Sequence, residues 1–150
     1  MGHEKIWQKV LGNDEKIEYE FSVGNRYIKF GLVIWGIIGL LLLFPVGFGV
    51  IVLLINLFYF GFYLKTANAF AFTNKRVLIH RGWLSTHTIS VDYSKITDIH
   101  IREPFFDRVI TQTGNIAIIT AGTTADQIML QHISNPYEVK KKLDLLRSGQ

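Results

Sequence analysis

Four histidines, His80, His87, His100 and His132, carry the side chains best suited to bind a metal or move a proton. Their spacing favours neither role. Each falls on a different predicted strand, whereas a metal motif sets two ligands a few residues apart on one element. His100 shares parity with Asp98 in an alternating run and reads as part of an exposed polar edge. His87 shares parity with Ile89 and Val91 and reads as a partly buried, hydrogen-bonded ring. Asp98, Glu103 and Asp107 are near enough in sequence for an acid and base pair, but no pattern gathers them into a pocket. Ser85, Ser90 and Ser94 lack the strand–turn–helix setting of a serine nucleophile. Gly47-Phe48-Gly49 has no strand before it and no lysine after it, so it is not a phosphate loop. Cysteine is absent, which excludes disulfides, thiolate metal sites and thiol nucleophiles. The expectation is a protein that is not an enzyme, with no catalytic residue, no cofactor and no metal.

The elements that hold these residues are dominated by apolar side chains. Of 150 residues 49% are hydrophobic and only 19% charged, which excludes a disordered chain. A mean hydropathy of +0.24 is high for a small soluble domain and points to a membrane segment. The excess is local: from Phe30 to Leu64 no residue is charged, and Asn56 is the one strongly polar side chain. As one helix that run would measure about 52 Å, against a hydrocarbon core of about 30 Å. Pro45, Gly47 and Gly49 interrupt it near the middle. The pattern therefore predicts a helical hairpin, Tyr27 to Phe44 and Val46 to Leu64, within residues 27–64 and turning at 45–49. A single tilted span with a re-entrant stub is the open alternative.

Arg26 and Lys29 precede the first span, Lys65, Lys75 and Arg76 follow the second, and the turn carries no basic residue. Both termini are thereby expected in the cytoplasm, with the chain as a multi-pass protein of the cell membrane. Asn56 is expected to bond the neighbouring helix, and the lack of ionisable groups in the spans argues against an ion path. The amino-terminal segment, residues 1–26, has five acidic residues and no cleavage site, so it is not a signal peptide. Ile6, Trp7, Val10 and Leu11 fit one helical face. Ile17 to Val23 alternates without error, which predicts a strand with Ile17, Tyr19, Phe21 and Val23 on one face. A lone strand needs a sheet, and the residues beyond the hairpin are expected to supply it.

From residue 65 to 150 the period becomes two. Ala67 to Thr73, Lys75 to Arg81, Trp83 to Asp92, Ile96 to Arg102, Ile116 to Ala121 and Gln127 to Ile133 read as strands. Breaks fall at Asn74, Gly82, Tyr93 to Lys95, Pro104 and Gly122 to Asp126. Phe70, Phe72, Trp83, Ile89, Ile99, Ile118 and Leu143 are the expected core. Asn135, Pro136 and Glu138 have the spacing of a helix start with a capping box, and Val139, Leu143 and Leu146 form the apolar stripe that follows. Lys140 to Lys142 fan around that helix as a solvated face.

Six antiparallel strands and a closing helix outline an α+β fold, a small barrel or sandwich attached to the hairpin. Here a resemblance becomes specific. Phe72-Thr73-Asn74-Lys75-Arg76-Val77-Leu78-Ile79-His80-Arg81-Gly82 resembles the "LTNxRhxxxxG" opening of bacterial pleckstrin-homology (PH) domain membrane proteins. Ile89 through Ile99 is similar to their third strand, turn and fourth strand. Phe106-Asp107-Arg108, Gly114-Asn115-Ile116 and Thr120-Ala121-Gly122 resemble the later "DR…G…TAG" segment. A strand at Glu15-Lys16-Ile17 and the hydrophobic pair occur there too, so the likeness spans residues 13 to 147. Thr111-Gln112-Thr113-Gly114 departs from it, standing where the family often has a glycine pair. The resemblance implies a PH-like domain that binds proteins or assembles with itself.

Residues 65 to 150 carry 11 Lys and Arg against 7 Asp and Glu, too modest a bias for nucleic-acid binding once tethering is counted. Lys65, Lys75, Arg76 and Arg81 are the candidate lipid-headgroup contacts, each non-specific. Eukaryotic PH domains that grip phosphoinositides use a long basic loop between their first two strands; here the corresponding loop has shrunk to about Thr73-Asn74-Lys75, so the resemblance implies no specific headgroup site. The expected function is a membrane-anchored interaction or scaffolding module in contact with the lipid bilayer. The alternative is a small subunit of a membrane complex or transporter whose hairpin is the working part.

Overall fold

The computed structural model describes residues 3–43, 48–121 and 128–149. In chain order it has helix α1 (Glu4–Trp7), strand β1 (Ile17–Ser22), helix α2 (Asn25–Leu41) and helix α3 (Gly49–Ala67). Strands β2 (Asn68–Thr73), β3 (Arg76–Arg81), β4 (His87–Asp92), β5 (Ile96–Arg102), β6 (Thr113–Thr120) and β7 (Ile128–Ser134) follow, and helix α4 (Pro136–Ser148) closes the chain. The strands form two antiparallel sheets of order β1-β2-β3-β4 and β5-β6-β7.

The first sheet draws on both sides of the helical pair. β1 lies against β2, pairing Phe21 with Phe70 and Ser22 with Ala69. The alternation of Ala69-Phe70-Ala71-Phe72 then sorts by size. Phe70 and Phe72 point into the barrel with Val77, Ile79, Ile116, Ile118 and Leu130, and Val139 and Leu143 of α4 close its mouth. Ala69 and Ala71 lie on the other face, where their small side chains leave room for the buried indole of Trp7. The short α1 thus covers a face that would otherwise be wet.

α2 and α3 pack against each other. Asn56 Nδ2 donates to the Leu32 carbonyl oxygen at 3.0 Å, the cross-helix bond expected of that amide. Gly31 lies under the Phe60 ring and Gly39 under Leu53, so small residues set the close approach. Residues Leu57–Tyr63 of α3 are π-helical. Pro45 and Gly47 lie outside the described residues, while Gly49 opens α3 against the backbone of Gly39 and Leu43. Among the described residues one helix, α3 with 19 residues, is long and apolar enough to cross a membrane. α2 is 17 residues long and carries Arg26 and Lys29 near its start.

Several expectations need correction. The register of β1 slips between Ile17 and Tyr19, so a bulge turns Ile17 away from Tyr19 and Phe21. Ile17 packs with Trp7, Tyr19 and Phe21 pack on the barrel core, and Val23 joins Ile28, Phe60 and Leu64 beside the helices. β4 begins at His87, not Trp83, because Gly82 takes φ +98° and turns the chain out of the sheet. Trp83 is therefore no core residue, and His87 at the strand end is exposed. β6 starts earlier than expected, at Thr113. Asn135 precedes α4 in a left-handed conformation, φ 50°, and its side chain caps nothing. The capping box does not form; the Asn135 carbonyl accepts the Glu138 amide instead.

Candidate functional site

α3 runs directly into β2, and Asn68 pairs with Arg81, so the helical pair leaves the barrel at one defined end. That end also holds the β3–β4 loop, the β5–β6 connection and the start of α4. The opposite end holds the Asn74–Lys75 turn and the Tyr93–Lys95 turn, about 20 Å away along a six-residue strand.

This polarity separates the four basic residues. Lys65 and Arg81 stand at the helical end, Lys75 and Arg76 at the other. The Lys65 and Lys75 side chains are exposed, while Arg81 donates to the Met129 carbonyl across to the second sheet. Arg76 is committed elsewhere. Its Nε and Nη2 donate to the two oxygens of Glu15 at 2.9 and 2.8 Å, and Nη2 also donates to the Val10 carbonyl at 3.1 Å. The Thr73 hydroxyl donates to Glu15 at 2.8 Å and the Gly12 amide at 3.1 Å. These donors, Arg76 foremost, outweigh burial and hold the Glu15 carboxyl at about 2. Asn74 Oδ1 accepts the Lys16 amide at 3.0 Å. The Thr-Asn-x-Arg motif is thus a clasp that holds the segment Val10–Lys16 on the β2–β3 turn. Beneath it the Tyr93 hydroxyl donates to the Thr73 carbonyl at 2.6 Å, and burial pushes that phenol up to about 12.

At the helical end a second cluster joins three distant parts of the chain. The His132 ring stacks on Tyr27 of α2 with centroids 3.7 Å apart, and its Nδ1 lies 3.4 Å from Asp107 Oδ2. The Gly24 amide donates to the His132 carbonyl at 2.7 Å, and Asn115 Oδ1 accepts the His132 amide at 2.9 Å. His132 adopts φ 53°, a left-handed conformation uncommon for a non-glycine residue, which these bonds hold in place. Burial lowers its pKa and Asp107 opposes the shift. No spacing in the sequence pointed to this junction.

The other candidates for chemistry stay apart. His80 is buried, with Nδ1 3.0 Å from the Thr88 hydroxyl, and burial pushes its pKa down. It lines a cleft of about 300 Å³ with Lys5, Lys9, Thr66, Trp83 and Thr88. His100 and Asp98 form an exposed pair at 3.3 Å, the polar edge expected of them. Glu103 lines another cleft beside Arg108 and Tyr137, of about 500 Å³. Among the described residues no three histidines or carboxylates approach closely enough to hold a metal ion. What the helical end does gather is apolar. Trp83 packs edge-on against Phe58 and Phe62 of α3, with centroids 5.8 and 5.5 Å away, and Phe105 and Phe106 are open to the surroundings.

The sequence model of a family described as "Bacterial PH domain" matches residues 24–147. β1 lies outside that match, although it completes the first sheet. Two crystal structures share the fold. One is a DUF1696 family protein with a pleckstrin-homology domain from Shewanella loihica, 13% identical, with a TM-score of 0.53 over 98% of both chains. The other is a pleckstrin homology domain from Shewanella amazonensis, 9% identical, with a TM-score of 0.54 over 95% of this chain and 93% of that one. Likeness at these identities speaks for the fold alone. No curated protein matches the sequence.

Proposed function

The chain belongs to the bacterial PH-domain family, and from that premise we propose that it is an interaction module fixed to the inner face of the cell membrane by α2 and α3. A PH-like domain is the architecture of a protein- or lipid-interaction module, in a family that is generally not enzymatic. The observation that carries the anchoring is the outer surface of the helical pair. Val33, Ile37 and Leu40 on α2 and Val50, Leu54 and Ile55 on α3 are all exposed. Water would penalise so much apolar surface, and hydrocarbon would not. Arg26, Lys29 and Lys65 lie at one end of this surface, which orients both termini toward the cytoplasm.

In this reading the barrel binds a protein partner, and β4 is where it does so. β4 lies at the margin of its sheet, paired with β3, and exposes Thr88, Ser90 and Asp92. Lipid contact is left to Lys65 and its neighbours at the helical end, without headgroup selection. A second reading, in which the helical pair itself is the working part of a larger membrane complex, is favoured by Asn56. Among the described residues its Oδ1 is buried without a hydrogen-bond partner, beside an apolar groove lined by Trp35, Val52, Ile55 and Tyr59.

Topology reporters fused after residues 47 and 150 test the anchoring. The expected result is activity outside the membrane at 47 and inside it at 150. A carboxy terminus on the outer side, or release of the protein by alkaline carbonate, would sink the proposal. Affinity capture of the full chain from native membranes separates the two readings. Loss of a captured partner on Ser90→Pro supports the barrel, and loss on Asn56→Leu supports the helices.

A further inference from the structure

Two loops at the helical end expose large apolar side chains, and one of them also turns polar groups inward. In the β5–β6 connection Thr111 is buried, its hydroxyl donating to the Asp107 carbonyl at 2.9 Å and lying 2.7 Å from the Thr113 hydroxyl. Asp107 itself turns inward to His132. The apolar residues of the same turns face out: Phe105 is 72% exposed, Phe106 71% and Val109 60%. In the β3–β4 loop Leu84 is 88% exposed at the tip, and Trp83 lies along α3. Arg108, Ser85 and Thr86 are exposed as well, so each loop presents apolar side chains beside polar ones, the mixture suited to a segment at the boundary between lipid and water.

The positions agree with that pattern. Phe62 and Phe58 precede Lys65 by three and seven residues, about 5 and 10 Å along the helix axis. Trp83, packed on both, is therefore held at the depth where tryptophan collects in a bilayer. The β5–β6 connection is tied through Asp107 and His132 to Tyr27, two residues before Lys29. Lys5 and Lys9, which line the cleft beside Trp83, add positive charge on the side that would face anionic headgroups. The two apolar loops thus continue the surface of α2 and α3 at the level set by their flanking lysines.

We infer that the β3–β4 loop, through Trp83 and Leu84, and the β5–β6 connection, through Phe105, Phe106 and Val109, insert into the leaflet that α2 and α3 enter. The barrel is then docked on the bilayer in one orientation, with β4 and the clasp end presented to the cytoplasm. This inference rests on the anchoring proposed above.

The absence of cysteine makes the test direct, since any introduced thiol is the sole labelling site. Full-length chains carrying Leu54→Cys, Leu84→Cys, Phe106→Cys or Lys75→Cys are labelled with an environment-sensitive fluorophore. They are then reconstituted into phosphatidylcholine–phosphatidylglycerol vesicles containing lipids spin-labelled along the acyl chain. All four positions are exposed, so the substitutions do not disturb the core. The expected result is blue-shifted, quenched emission at 54, 84 and 106, and unshifted, unquenched emission at 75. Quenching at 54 with either 84 or 106 as unquenched as 75 overturns the docking and leaves the anchor standing. Absence of quenching at 54 overturns the anchor and the docking together.

Discussion

Removing the Arg76 guanidinium should uncouple the segment before β1 from the barrel and abolish a defined part of its acid sensitivity. Arg76→Ala leaves the Glu15 carboxylate, 2% exposed at its side chain, with Thr73 and the Gly12 amide as its donors among the described residues. Two routes to the cost converge. Holding a carboxyl at about 2 against an ordinary value of 4.5 corresponds to roughly 3 kcal/mol in favour of the ionised form, the net of Arg76 foremost, the Gly12 amide and Thr73 against burial. Breaking a buried ion pair by deleting one partner costs about 3–5 kcal/mol. The Arg76 side chain is 28% exposed, so water partly replaces it, and the lower figure applies. A loss of about 3 kcal/mol at pH 7 lowers the melting temperature of a domain of this size by on the order of 10 °C. The pH dependence has a fixed sign. Because the folded value is depressed, the unfolded chain binds the extra proton, so this stability is complete above about 4.5 and is lost as pH falls toward about 2. Circular-dichroism melts of the full chain in lipid nanodiscs, for wild type, Arg76→Ala, Glu15→Gln and the double variant, measure both effects. The single variants should lose most of the pH slope, and the double variant should cost less than the sum of the singles. A melting point within about 2 °C of wild type for Arg76→Ala, with its pH slope intact, would refute the clasp. If vesicle binding fell at the same time, Arg76 would be a lipid contact after all.

The helical pair offers a contrast between two glycines. A Cβ at Gly49 would lie 2.3 Å from the Gly39 carbonyl oxygen and 2.5 Å from the Leu43 nitrogen, and one at Gly31 would lie 2.0 Å from the Phe60 ring. A ring can turn and a backbone cannot, so Gly49→Ala should destabilise the pair more than Gly31→Ala, whose cost is about 1–3 kcal/mol, as read by detergent-induced unfolding. Equal tolerance would mean the helices are not in this register. Phe21→Lys should destabilise the barrel by several kcal/mol, since its ring packs on Phe70 and Phe72 at 5.5 and 5.0 Å. Glu20→Lys should cost at most about 1 kcal/mol, through loss of the partly exposed His3 pair. Vesicle pelleting of a hairpin-free barrel, with residues 3–23 linked to 68–149, should show weak binding that ignores headgroup identity, with a part that fades with salt and a part that persists through the apolar loops. Saturable, salt-resistant binding to one lipid would contradict it.

Patterns local in the chain are legible in the amino-acid sequence by itself. The uncharged run from Phe30 to Leu64 announces two apolar helices, because continuous burial or lipid contact requires it. Strict alternation of Phe70 and Phe72 with Ala69 and Ala71, and the stripe of Val139 and Leu143, name both faces of the barrel's elements. Periodicity reports how an element presents its sides, and it needs no partner to be read. What it does not carry is which partner meets each side. The bulge that turns Ile17 from Tyr19 leaves the hydrophobic alternation unbroken, since both destinations are apolar. The Thr-Asn-x-Arg motif is visible, but Glu15 sits 61 residues from Arg76 across the helical pair, and only the pairing of β1 with β2 brings them together. Tyr27, Asp107 and His132 share no sequence neighbourhood, and their stack exists because a helix, a connection and a strand end at the same place. The exposure of Trp83 is likewise decided by tertiary structure: the indole is apolar whether it faces a core or a bilayer, and the turn at Gly82 chooses between them.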